Sequence, residues 1–214
     1  MCKSLWAQEY HFPVNPGRKA YLTGSVGEIR RNHFHAGLDV GVVVGTPVYA
    51  ADDGYVYRVK VSTYGYGRVI YIDHPRRKHR TVYAHLNRFN ESIGDYVREK
   101  QYEQENFEIE LFPDSMAIPV RKGQVIGYTG NSGSSGGPHL HYEIRDWNDV
   151  TLNPMQFGFK ELPSDRLPPV IRKIALASLD TEGRVNGVFG RSEYAVKRTG
   201  PGLYSIPQVI PVYG

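Results

Sequence analysis

Cysteine is almost missing from this 214-residue chain: Cys2 is the only one. A single thiol closes no disulfide within the chain, so a disulfide-stapled fold is excluded and the redox compartment stays open. Long apolar runs are missing as well, and with them any membrane-spanning helix. No sustained 3.6-residue apolar period occurs, which argues against a helical body. Several catalytic signatures are absent. There is no His-Glu-x-x-His, hence no helical zinc-protease site, and no Gly-x-Ser-x-Gly nucleophile elbow. The glycine-rich loop at 130–137 lacks the Gly-Lys-Ser/Thr of a phosphate cradle. Charge of one sign is not in strong excess: 26 basic against 22 acidic residues leave a net +4. That is a mild pull towards anionic surfaces, which nucleic acid, an anionic cell-wall polymer and acidic lipid satisfy equally. The basic run 76–80 has no interleaved aromatics to stack on bases, so nucleic acid is not an expected partner.

What is present suits a folded β protein. Apolar residues make up 40% and charged residues 22%, as in globular rather than disordered chains. The 23 glycines, 14 prolines and 16 tyrosines favour strands joined by tight turns. Residues 1–19 read as an N-terminal segment. Within it, Leu5-Trp-Ala-Gln8 is similar to the last residues of a secretory signal peptide, although the charged and apolar parts that precede such a cleavage site are missing. An ordinary disordered N-terminus is the plain alternative. Lipid attachment at Cys2 lacks the preceding apolar segment.

Residues 9–34 form an irregular approach with turn signals at Asn15-Pro-Gly17 and Thr23-Gly24. Alternation then begins, with Leu38, Val40 and Val42 on one face and Asp39 and Gly41 on the other. Val48–Ala50 and Tyr55–Val61 read as strands around the turn Asp52-Asp-Gly54, and Tyr64-Gly-Tyr-Gly67 as a second turn. Arg68–Asp73 and Thr81–Leu86 form a predicted hairpin with a basic loop, Pro75–Arg80. Glu99–Asn106, polar and free of glycine, is either a short helix or an inserted excursion. Val120–Gly130 returns to strand and turn, Gly130–Pro138 is a loop, and His139–Arg145 is a strand. The expected fold class is therefore all-β. A compact antiparallel domain spans 20–158, and a linker at 159–169 includes Leu162–Pro169. After it, 170–214 form a small β module or a fragment of a larger domain, with strands at Val170–Leu176, Arg184–Phe189 and Ile206–Ile210. About 45 residues are few for an independent core.

Three segments carry chemistry. On a strand, His139, His141 and Glu143 share one face, while Leu140, Tyr142 and Ile144 point into the core. Two imidazoles on the polar face of a core strand, after a glycine loop that lets other groups approach, suit a groove; two surface histidines are the ordinary reading. In His35-Ala-Gly-Leu-Asp39, an extended chain puts 35, 37 and 39 on one face. Glycine then separates an imidazole from a carboxylate, both good zinc donors. His33 is the rival to His35, since His33-Phe-His35 is also His-x-His. A strand-end Asp with a local hydrogen bond is the bland reading of Asp39. In the third segment, alternation places Thr81, Tyr83 and His85 on one face and Val82, Ala84 and Leu86 on the other. A lone strand histidine is usually structural, so His85 gains interest only as a third histidine facing the same way. A hydrolytic zinc site needs about three protein ligands, an open position and a neighbouring acid/base. Together the three segments hold enough groups.

These residues resemble the lysostaphin/LytM-type zinc endopeptidases (metallopeptidase family twenty-three), which cut peptide cross-links in bacterial peptidoglycan. The resemblance rests on His35-x-x-x-Asp39, Tyr-Ala-His85-Leu, the stretch Val120–Gly133 and Gly-Pro-His139-Leu-His141-Tyr-Glu, in that order, and covers residues 20–158. It implies a fold of the duplicated-hybrid-motif type and one Zn²⁺ per site, bound by His35, Asp39 and His141. A water in the fourth position would attack the scissile carbonyl. His139 and His85 would be the non-ligand, catalytic imidazoles. His139 is assigned the base, two residues from a ligand on the same strand face, and His85 stabilises the tetrahedral intermediate. Some members carry a tyrosine before the first ligand. Here Arg30, Arg31 and Asn32 occupy that stretch, and with Tyr66 they are the candidate substrate contacts. The excursion at 99–118 exceeds the family's usual connection. The resemblance further implies a peptidoglycan peptide as substrate and an exported location: periplasm, cell envelope or outside the cell. Glycyl-glycine and D-alanyl–diaminopimelate links stay equally open, as does the oligomeric state. The rival readings are a non-catalytic activator of the same fold, a sugar platform of Tyr55, Tyr57, Tyr64 and Tyr66, and a biotin- or lipoyl-type carrier suggested by Gly-Gln-Val-Ile-Gly. All five metal and imidazole positions are filled, which argues against the first. No lysine sits at a hairpin tip for the last.

Overall fold

The alternating residues in the middle of the chain pair into an antiparallel sheet, and the register of that sheet positions everything else. The computed structural model describes residues 10–15, 20–30, 33–115, 117–159, 161–162 and 170–213. Arg31, Asn32, Cys2, Leu5–Gln8 and most of the expected linker lie outside these residues. The strands run β1 (Leu22–Gly24), β2 (Leu38–Gly41), β3 (Pro47–Tyr49), β4 (Gly54–Val61), β5 (Val69–His74), β6 (His79–Ala84) and β7 (Leu86–Phe89). Helix α1 (Glu91–Glu103) follows, then β8 (Ile109–Leu111), β9 (Pro119–Val120), β10 (Val125–Thr129), β11 (His139–Asp146) and β12 (Thr151–Leu152). The main sheet has the order β1-β2-β11-β6-β5-β4-β8, with β12 on β11 and β9 on β4; β3-β10-β7 form a smaller sheet. The architecture is all-β, with one α-helix, of 13 residues, among the described residues.

One face of the main sheet makes the core. Leu38 and Val40 from β2, Leu140, Tyr142 and Ile144 from β11, Tyr83 from β6 and Ile70 and Ile72 from β5 are all buried in it. Each such side chain contributes about 1.5–3 kcal/mol on burial. A one-residue slip of β11 would turn its row outward, so the register is strongly held. Tyr10, Phe12 and Val14 join the same core. The first compact unit, Met1–Pro163, therefore includes residues that the sequence placed in a preceding segment. The opposite face is not bare. Val69, Tyr71, Val82 and Ala84 cluster there, with Tyr57 and Tyr66 packed on them. Glu143, expected on a half-exposed face, lies on that side with 0% exposure.

Other local readings change. The basic loop closes as a tighter turn, because His79 and Arg80 pair with His74 and Asp73 across the β5–β6 ladder. Arg80 Nε donates to Asp73 Oδ1 at 2.6 Å, and its guanidinium stacks 3.7 Å over Tyr57. The polar stretch is a helix, and it starts before Glu99. Asn90 caps it by accepting the Ile93 N–H at 3.0 Å, which satisfies an orphan amide of the first turn. Only Ile93 and Val97 are buried along it, too few positions to print a helical period in the sequence.

The second unit, Ser164–Gly214, contains β13 (Lys173–Ala177), which overlaps the predicted strand Val170–Leu176 and ends one residue beyond it, and β14 (Arg184–Val185), inside the predicted strand Arg184–Phe189. Ile206–Ile210 is not a strand; Pro207 and Pro211 remove amide donors there. Instead β15 (Arg191–Ala195) pairs with β13, β16 (Lys197–Gly200) with β17 (Leu203–Ser205), and β18 (Val212–Tyr213) with β14. No helix among the described residues is long and apolar enough to cross a membrane.

His74 gives the fold a pH-dependent element. It is 0% exposed; its Nδ1–H donates to Asp53 O at 2.9 Å, and Nε2 lies 2.7 Å from Thr81 Oγ1. Burial holds its pKa below the ordinary imidazole value, against the pull of Asp53 and Asp52. The unfolded chain takes up this proton near pH 6.5, and the folded chain resists it. Stability from neutral His74 is therefore complete above about pH 6.5 and is lost as pH falls below it. Urea melts at pH 7.5 and 5.5 should show a lower midpoint at 5.5, with a smaller drop in His74→Asn. An equal drop in both proteins would rule His74 out.

Candidate metal centre

The β2–β11 ladder sets Asp39 directly opposite His141. Side chains so paired project on one face with Cβ atoms about 4.5–5.5 Å apart, so backbone hydrogen bonding alone brings carboxylate and imidazole together. His35 arrives differently. The expected extended run through 35–39 is not continuous, because β2 begins at Leu38. His35 sits at the base of a hairpin, where its N–H donates to Glu28 O and its C=O accepts the Gly27 N–H, each at 2.8 Å. Gly37 is required between the two: a Cβ there would lie 2.5 Å from Tyr142 O and 3.0 Å from His141 Cε1.

Three buried donor atoms converge. His35 Nε2 is 3.0 Å from both Asp39 Oδ1 and His141 Nδ1, and those two are 2.8 Å apart. A partner behind each group selects the atom it presents. His35 Nδ1–H donates to Ser25 O at 2.9 Å. Arg30 Nη2 holds Asp39 Oδ2 at 3.0 Å while also bonding Glu28 at 3.1 Å. His141 Nε2 donates to Glu143 Oε1 at 2.9 Å. Among the described residues, His35, Asp39 and His141 form the His/Cys/Asp/Glu group able to hold a metal ion. Two imidazoles and one carboxylate suit catalytic zinc. The edges of the donor triangle, 2.8–3.0 Å, are shorter than the roughly 3.3–3.4 Å that tetrahedral bonds of about 2.0–2.1 Å span. His33, the rival ligand, is exposed and lines the cleft outside this triangle.

The electrostatics follow from the carboxylate at the centre. Burial pushes the Asp39 pKa up, but hydrogen bonds from His139, His141 and His35 outweigh it and hold the carboxyl far below the usual range. Burial lowers the pKa of His141 and His139, yet the bond to Asp39 leaves both raised, helped by Glu143 for His141 and by Gly137 O for His139.

The triangle opens on a cleft of 410 Å³ whose walls include His85, His139, Tyr66 and Arg30. The His85 and His139 rings lie 4.7 Å apart. Strict alternation would have sent His85 into the core, since Thr81 and Tyr83 point there. Instead His85 has a left-handed φ of +60°. That breaks the predicted strand between β6 and β7 and returns the imidazole to the cleft side. Its N–H donates to Tyr66 O at 2.9 Å and its Nδ1–H to Ser132 O at 2.8 Å. His139 Nδ1–H donates to Gly137 O at 2.8 Å. The carbonyls of Ser25, Ser132 and Gly137 were invisible to sequence reasoning, because any residue type supplies a carbonyl. Glu143 had a visible signal, two residues from His141 on one face. Tyr66 lines the cleft, and its hydroxyl donates to Glu143 Oε1. Arg30 reaches the site through Asp39. Of the tyrosine platform, Tyr57 and Tyr66 pack on the sheet, whereas Tyr64 is exposed.

The model of peptidase family M23 matches residues 33–102 and 117–154, about half of the chain and all five of His35, Asp39, His85, His139 and His141. The chain belongs to peptidase family M23. The unmatched interval of this M23 chain, 103–116, holds the end of α1 and β8 and lies within the expected excursion at 99–118. Over 134 residues it is 36% identical to the DD-carboxypeptidase/endopeptidase Mpg of Neisseria meningitidis, covering 63% of this chain and 24% of that protein. It is 31% identical over 147 residues to lysostaphin of Staphylococcus staphylolyticus, covering 67% and 26%. The M23 chain thus spans about a quarter of the length of these curated relatives. A zinc-containing peptidase from Vibrio cholerae shares its fold, with a TM-score of 0.52 at 24% identity over 73% of this chain and 41% of that one.

Proposed function

We propose that this M23 domain is a zinc-dependent endopeptidase that hydrolyses peptide cross-links of bacterial peptidoglycan. One observation carries the reading: a single cleft holds a three-donor set and two further imidazoles whose Nδ1 atoms are tied to backbone carbonyls. The name of the relative Mpg, which includes an endopeptidase activity, supports it. His35, Asp39 and His141 are the zinc ligands. When bound, zinc supplies a Lewis acid for the scissile carbonyl and lowers the pKa of a coordinated water.

The remaining steps belong to the chain. Neutral His85 and His139, with Nδ1–H donating to Ser132 and Gly137, each present Nε2 as an acceptor. Two acceptors match the two protons of one water. His139 Nε2 lies 3.5 Å from Asp39 Oδ1, so an imidazolium formed there has a carboxylate beside it. His139 therefore takes the proton and returns it to the leaving amine. His85 accepts the second hydrogen bond and orients the water. It does not donate to the oxyanion, because a neutral ring has a single N–H. Arg30 keeps Asp39 turned towards the metal position. The substrate lies outside the cytoplasm, which places the protein in the periplasm, the cell envelope or outside the cell.

Purified peptidoglycan incubated with the zinc-loaded protein should release peptides whose masses identify one hydrolysed cross-link, and a chelator should stop the release. Chelator-insensitive cleavage, or none by the zinc-loaded protein, would count against the reading; the latter would favour the non-catalytic alternative.

A further inference from the structure

Glu143 is the least accessible charged group near the centre, and a carboxylate at 0% exposure is costly unless every lone pair is used. Here both oxygens are paired, with three donors on about four lone-pair sites. Oε1 accepts from His141 Nε2 at 2.9 Å and from the Tyr66 hydroxyl. Oε2 accepts from Arg145 Nε at 2.6 Å. Arg145 is itself anchored, its Nη1 donating to Asp149 Oδ2 at 3.1 Å. The Tyr66 ring packs against the His141 ring with centroids 5.1 Å apart. His141 is thus held at its ring edge by the carboxylate and over its face by the tyrosine.

We infer that Glu143, braced by Tyr66 and Arg145, is a positioning residue. It fixes His141 so that Nδ1, and not Nε2, is the metal donor, and it strengthens that donor. The inference rests on the zinc reading above and deepens it. A carboxylate accepting the distal N–H of a ligating imidazole fixes the ring's tautomer and orientation and raises its basicity. Tyr66 then acts in the support of a ligand and not as a hydroxyl contact to substrate.

The test is zinc affinity by competition against a chromophoric chelator, on protein shown by circular dichroism to be folded, with the visible absorption of the Co²⁺-substituted protein alongside. Glu143→Gln should weaken zinc binding roughly 10–100-fold and change the cobalt spectrum. Tyr66→Phe keeps the ring and removes one bond to Glu143, so it should give a smaller loss, below about tenfold. A residue that only stabilised the fold would lower the melting midpoint and leave affinity and spectrum alone. Wild-type affinity and spectrum in folded Glu143→Gln would overturn this inference alone. If that variant does not fold, Tyr66→Phe decides, and wild-type affinity there overturns it. A wild-type chain that takes up no zinc would overturn both this inference and the zinc reading.

Discussion

Asp39→Asn should lose stoichiometric zinc and lower peptidoglycan cleavage by about a thousandfold or more. The substitution keeps the shape of the side chain and removes its charge. Asp39 Oδ1 is the shared vertex of the site, 3.0 Å from His35 Nε2, 2.8 Å from His141 Nδ1 and 3.5 Å from His139 Nε2. It is also the one anion in the donor set, so its loss leaves two neutral imidazoles to hold a dication. A catalytic metal supplies several kcal/mol of transition-state stabilisation, and each 1.36 kcal/mol is tenfold in rate, which sets the expected size. Metal analysis of the dialysed protein and a peptide-release assay check it. If Asp39→Asn retained one zinc per chain and more than a tenth of the activity, Asp39 would not be a ligand.

His139→Ala should lower kcat about 10²–10⁴-fold, the range for a lost general base, while zinc content stays at the wild-type level. Retained zinc separates this result from the first, because His139 lies outside the donor triangle. His85→Ala should cost less, since it orients the water without carrying the proton. The pH profile adds a second arm. Burial pushes the His85 pKa down to about 4, against the opposing bond to Ser132 O. His85 therefore remains an acceptor from pH 5 to 8, and the loss of rate on the acid side belongs to His139. That acid limb should vanish in His139→Ala and persist in His85→Ala. Near-normal turnover in His139→Ala would end its assignment as base, and an acid limb that disappears with His85 would exchange the two roles.

Much of the core was readable in the sequence because strand alternation is a local, period-2 property. Leu140, Tyr142 and Ile144 are buried as their spacing predicts, and Leu38 and Val40 pack beside them. The same rule failed at His85, where a single left-handed residue inverts the alternation. Nor could periodicity decide between a short helix and an excursion over 99–106, because the two buried positions of α1 leave no helical period. Alternation likewise could not say that the outer face of the sheet would be covered, because the cluster of Val69, Tyr71, Val82 and Ala84 comes from strands that only the folded sheet makes neighbours.

By itself, the sequence determined the all-β class, the likeness to one peptidase family, and the five candidate residues on which the proposed zinc site is built. Residue type and short-range spacing suffice for that. Tertiary structure decided which atoms meet. The β2–β11 register puts Asp39 opposite His141, the hairpin before β2 brings in His35, and the turn at His85 aims the last imidazole. Partners behind the ligands, Ser25 O, Arg30 and Glu143, choose the nitrogen or oxygen that each presents. These are consequences of pairing and packing between segments as far as 106 residues apart, and no local pattern in the chain encodes them.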